Sequence, residues 1–113
     1  MSRCKNDPPL FIYCVMADDS EAERIGRIVV EERLAACINR FSGMRSIYRW
    51  EGSVETATET VCIIKTRQSL VSRLEQRIAA LHSYECPCIV HLPVAGGHPP
   101  YLLWLLEQTN DTY

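Results

Sequence analysis

Leu10–Met16 (LFIYCVM) is an unbroken apolar run rich in β-forming side chains, which predicts a central strand. Asp18-Asp19-Ser20 follows, with Ser20 and Glu23 at capping-box spacing, so a helix is expected to start there. Ala22, Ile25, Ile28 and Val29 give that helix one apolar stripe, and Glu21, Arg24, Arg27 and Glu31 are assigned to water. From Ala35 to Thr66 the helical period vanishes. Ser46, Tyr48 and Trp50 alternate with Ile47 and Arg49 at strand spacing, and Gly52 marks a hairpin turn. Val54–Thr66 returns as the second arm, with Val61-Cys62-Ile63-Ile64 expected buried on both faces. Leu70, Leu74, Ile78 and Leu81 carry the step of a second helix beginning near Ser69. Cys88–Leu92 reads as a short strand closed by Pro93. Gly96-Gly97 turns the chain, and Pro99-Pro100 opens a last helix through Gln108.

The order β-α-β-β-α-β with an extra C-terminal helix predicts an α+β, ferredoxin-like antiparallel sheet with two helices on one face. Residues 1–9 are expected to form a flexible N-terminal tail and residues 10–113 a single domain. Hairpin arms of a dozen residues or more reach roughly 40 Å, whereas a 14-residue helix covers only about 21 Å. The hairpin must therefore project beyond the helices or bend, with Gly43 as the expected bend. A projecting ribbon carrying Ile47, Tyr48 and Trp50 is an aggregation hazard when alone, so pairing with further subunits is expected.

Charge narrows the partners. Twelve Lys and Arg against fourteen Asp and Glu leave a net charge of -2, so nucleic acid is not the expected partner. No apolar run suits a membrane helix, and Met1–Pro9 lacks the apolar stretch of a secretory leader. Six cysteines, at Cys4, Cys14, Cys37, Cys62, Cys86 and Cys88, form no C-x-x-C knuckle. Most sit in apolar runs, which favours reduced, buried thiols and a cytoplasmic protein. Cys86 and Cys88 share a presumed strand face with Val90 and Leu92 and are assigned to the core; exposed, the pair would chelate a soft metal. No phosphate-binding loop, nucleophile elbow or H-E-x-x-H occurs, so an enzyme is not expected.

Six blocks carry a resemblance: Arg33-Leu-Ala-Ala-Cys37-Ile-Asn39, Ser46-Ile-Tyr48-Arg-Trp50-Glu51-Gly52, Ile64-Lys65-Thr66, His82-Ser-Tyr84-Glu85-Cys-Pro87-Cys-Ile89, Leu92-Pro93-Val94 and Tyr101-Leu-Leu-Trp104. In this order, over about Phe11 to Glu107, they resemble the CutA divalent-cation tolerance family. The resemblance implies a tight homotrimer similar to PII signalling proteins, a role in copper or other divalent-metal tolerance, and no catalysis. The family's His-Pro-Tyr after the second helix, often preceded by another histidine, is here Leu81-His82-Ser83-Tyr84.

The resemblance marks Cys14 and His82 as the copper-binding pair; a core thiol and a helix-ending histidine would look the same. It also marks Tyr48, Trp50, Glu51, Glu59, Lys65, Tyr84, Glu85 and Trp104 as an inter-subunit cleft. Glu59 and Lys65 share strand parity with Val61 and Ile63 and are expected to face the buried side, as an ion pair or at a cleft. Two other functions remain open: a PII-like signalling trimer binding a small anionic metabolite between subunits, and a trimeric scaffold for a protein partner.

Overall fold

A computed structural model, describing residues 7–109, has the expected element order. The elements are β1 (Pro9–Met16), α1 (Asp19–Glu31), β2 (Cys37–Trp50), β3 (Ser53–Arg67), α2 (Val71–Leu81), β4 (Ile89–Pro93) and α3 (Pro99–Gln108). A 3₁₀ turn at Gln68–Leu70 leads into α2. The sheet runs β2-β3-β1-β4 and each neighbouring pair is antiparallel. This is the α+β, ferredoxin-like arrangement that the pattern predicts.

Even-numbered positions of β1 and β3 face α1 and α2. Leu10, Ile12, Cys14, Met16, Cys62 and Ile64 pack there against Ile25, Val29, Leu74 and Ile78. Thr60 and Thr66 are buried on the same face, because their hydroxyls have partners. Thr66 donates to the Leu34 carbonyl at 2.7 Å, and Thr60 donates to Asp19 Oδ1 at 3.0 Å. Odd positions, including Tyr13, Glu59, Val61, Ile63 and Lys65, form the opposite face, which α3 covers only at one end. Two expectations change as a result. Val61–Ile64 is not buried on both faces of the subunit, and Glu59 and Lys65 lie on the open face rather than in the core.

The start of α1 is also shifted. Asp18, not Ser20, is the N-cap: its Oδ1 accepts the Glu21 N–H at 2.9 Å, and Glu21 Oε1 accepts the Ala17 N–H at 2.9 Å. Glu21, assigned to water by the periodicity, is therefore buried, and its other oxygen accepts the Ser83 N–H at 2.7 Å. At the far end Leu34 N–H bonds the Val29 carbonyl and Arg33 N–H bonds the Val30 carbonyl, each at 3.0 Å. This is a Schellman closure with Arg33 at φ 63°, a position usually held by glycine.

β2 and β3, 14 and 15 residues long, give the molecule its 51 Å long axis, while α1 has only 13 residues, about 20 Å. The hairpin therefore projects. Between Phe41 and Met44 the register shifts by an extra β2 residue, and Gly43 there has φ 74°. That bulge switches parity, so Tyr48 and Trp50 continue the face begun by Asn39 and Phe41. Glu51 and Gly52 turn the tip with φ of 48° and 86°, the two positive values of a type I′ turn.

Residues 1–6 of the expected tail, Cys4 included, lie outside the described residues. Asp7 is buried and already belongs to the packed body, before the expected boundary at Leu10. Its carboxylate accepts the Ser69 N–H at 2.7 Å, the Ser69 hydroxyl at 2.8 Å and Arg67 Nη1 at 3.0 Å. Arg67 also donates to the Thr109 hydroxyl and the Leu106 carbonyl.

Candidate functional site

The expected metal pair, Cys14 and His82, comes together at the C-terminal end of β1, but as filled core. Cys14 is fully buried, and burial, with smaller contributions from Cys62, Cys88 and Glu21, pushes its thiol up to about 12. His82 follows α2 on extended backbone, which turns its ring inward. Its Nε2 lies 2.7 Å from the Val15 carbonyl and its Nδ1 accepts the Tyr84 N–H at 3.0 Å, contacts that select the Nε2–H tautomer. With the Cys14 sulfur enclosed in the core and both His82 ring nitrogens engaged by main-chain groups, these two residues do not fit a bound copper ion as they stand. Among the described residues no three His, Cys, Asp or Glu side chains converge as a ready-made metal site.

A different set lines a groove of ≈ 510 Å³ on the open side of the sheet. Tyr48, Trp50, Glu59, Tyr84 and Glu85 of the expected cleft meet there, joined by Val15, Ser46, Cys86 and Cys88. The β2 bulge aims Tyr48 and Trp50 at it, and the segment after α2 supplies Tyr84 to Cys88. Tyr84 donates its hydroxyl to Glu59 at 2.7 Å. Burial first, then Glu59, raises the Tyr84 phenol above its ordinary range, and the same two causes raise the Cys88 thiol.

Three expected cleft residues lie elsewhere. Glu51 sits in the hairpin turn. Lys65 donates to the Tyr101 hydroxyl at 3.2 Å and lies 5.6 Å above the Phe11 ring, and Trp104 packs beside Tyr101 with ring centroids 5.6 Å apart. The Glu59–Lys65 ion pair is therefore replaced by two separate partnerships with tyrosines. Cys86 and Cys88, assigned to a strand core, are instead exposed in the segment leading to β4, which begins only at Ile89. Pro87 between them was the available signal, since proline has no N–H to donate to a ladder and often marks where an edge strand begins.

A sequence profile described as CutA1 divalent ion tolerance protein matches residues 10–108. The divalent-cation tolerance protein CutA of Thermus thermophilus is 42% identical over 99 residues, which cover 88% of this chain and 96% of that protein. The chloroplastic Protein CutA of Arabidopsis thaliana is 37% identical over 107 residues, covering 95% of this chain and 59% of its own length. The chain thus spans about three-fifths of the plant, mouse and zebrafish relatives. Among solved structures, CutA1 from Oryza sativa superposes with a TM-score of 0.89 at 37% identity, covering 93% of this chain and 96% of that one. CutA from Xylella fastidiosa gives the same TM-score and identity, covering 91% and 99%. With the profile match, the close relatives and the superposed folds all spanning nearly the whole described chain, the protein belongs to the CutA1 divalent ion tolerance family.

Proposed function

We propose that this chain is a homotrimeric divalent-cation tolerance protein that binds metal ions, copper among them, without catalysing a reaction, and that the groove of Glu59 and Tyr84 receives the cation. The observation that carries the reading is the groove's sign. Two carboxylates and two thiols line it, and none of its lining side chains is basic. Such a surface attracts a cation and repels the anionic metabolite of the PII-like alternative. Five described cysteines are free thiols, which suits a reducing, cytoplasmic setting.

The uncovered sheet face supports the trimer. Phe41, Tyr48, Trp50, Val90 and Leu92 are all exposed there, Phe41 at 57%. Exposed apolar side chains on the projecting ribbon, together with those on the edge strand β4, call for a subunit partner. Light scattering on micromolar protein is expected to give about three times the 12.9 kDa chain. A monomer at that concentration overturns the assembly. For the site, calorimetric titration of reduced protein with Zn(II) is expected to show saturable binding, weakened about tenfold or more in Glu59→Gln/Glu85→Gln. Binding that ignores the double substitution overturns the carboxylate groove as the site.

A further inference from the structure

Cys86 and Cys88 flank Pro87 in the segment between α2 and β4, and both line the same groove as Glu59 and Glu85. Their surroundings hold them in place. Pro87 fixes its own φ at about -65° and disfavours helical backbone at Cys86. The Cys88 carbonyl accepts the Val15 N–H at 3.1 Å, and Tyr84, two residues before Cys86, is tied to Glu59 at 2.7 Å. Both thiols are free and exposed, so neither sulfur serves the core or a disulfide. The other described cysteines differ: Cys14 and Cys62 are buried, and Cys37 is half-buried with its sulfur 3.8 Å from the Tyr101 hydroxyl.

We propose that Cys86 and Cys88 form a two-thiol capture site for a soft cation, Cu(I), in the groove. The proposal rests on the cation reading of that groove, and it adds the ion and its ligands. Among the described residues no three such donors converge, so the groove does not present the preformed four-ligand set of a structural Zn(II) site. It does not count against Cu(I), a soft ion selected by thiolate that accepts two-coordinate ligation. On binding, each thiol releases one proton to solvent and each sulfur forms one bond to the ion. The oxidation state of copper is unchanged, so no oxidant or reductant is consumed. Glu59 and Glu85 add negative charge around the incoming ion, and Pro87 limits the backbone freedom lost when both sulfurs engage.

Anaerobic titration of the reduced full-length chain with Cu(I), against a chromophoric Cu(I) chelator, tests this. One ion per chain is expected, together with ultraviolet thiolate-to-Cu(I) charge-transfer absorption. Cys86 and Cys88 should become protected from alkylation, as located by mass spectrometry. Cys86→Ser/Cys88→Ser, at exposed positions that the fold does not need, is expected to lose the absorption and bind at least about 100-fold more weakly. Cys37→Ser should keep both. Cu(I) binding that survives the double substitution, or that leaves Cys86 and Cys88 alkylatable, overturns the thiol site alone. Failure to bind either Cu(I) or Zn(II) overturns it together with the cation reading.

Discussion

Both ring nitrogens of His82 are engaged by main-chain partners, and the Cys14 sulfur lies in a core that favours the thiol over the thiolate. Burial likewise pushes Cys62 up to about 11. Reactivity should therefore divide by position: Cys86 and Cys88 react with an alkylating reagent in the native protein, whereas Cys14 and Cys62 wait for unfolding. Timed alkylation followed by peptide mapping checks the order, and early labelling of Cys14 would mean that its core opens readily. The sequence left these assignments ambiguous for a physical reason. Val61-Cys62-Ile63-Ile64 is apolar on both parities, and the true inner face includes Thr60 and Thr66, whose hydroxyls are satisfied locally. Polarity at Glu59 and Lys65 therefore could not say which side was buried. Cys14 and His82 were legible as neighbours, but hydrogen bonds closed from distant segments decide what their side chains can do.

The elements themselves were legible because their apolar periods are long and distinct: the run in β1, the stripe of α1 and the step of α2 all fall where expected. Their ends were not, because caps depend on reciprocal side-chain contacts. Ser20 and Glu23 have the spacing of a cap, yet Asp18 and Glu21 fill the role, since Glu21 also reaches the Ser83 amide. Arg33 hides the opposite end of α1, since a non-glycine residue holds the left-handed position. Arg33→Gly should relieve that strain and raise stability by about 0.5–1 kcal/mol, less whatever its contact with the Gln108 carbonyl contributes. Denaturant midpoints of the two proteins measure it; a lower midpoint in the variant would show that the arginine's contacts outweigh the backbone strain.

Assembly and folding are coupled if the projecting hairpin pairs between subunits. The unfolding midpoint should then rise with protein concentration. Trp50→Ala, at a residue 49% exposed in the subunit, should weaken the assembly by about 3 kcal/mol if the indole is buried there. Thermal unfolding at several protein concentrations reads the first effect and sedimentation across a dilution series the second, and an unchanged assembly would remove Trp50 from the interface. Acid provides a second probe of the whole body. Burial raises the Asp7 carboxyl, but the Ser69 amide, Arg67 and the Ser69 hydroxyl together bring it below the ordinary value. The folded state then binds fewer protons than the unfolded chain, so this contribution is complete above the unfolded value and disappears as pH falls through the folded one. Stability should decline below about pH 4, and Asp7→Asn should flatten part of that decline. Glu21 and Asp19, also lowered, account for some of the remainder. An identical acid profile in Asp7→Asn would remove the carboxylate from the balance. Because one guanidinium holds both Asp7 and Thr109, the first and last described residues lie side by side. The order of segments is thus separable from the architecture: a circular permutant of residues 7–109, with Thr109 joined to Asp7 by a short Gly-Ser bridge and the chain opened at Gly96–Gly97, should reach the same fold, read as an unchanged circular dichroism spectrum and the same assembled mass.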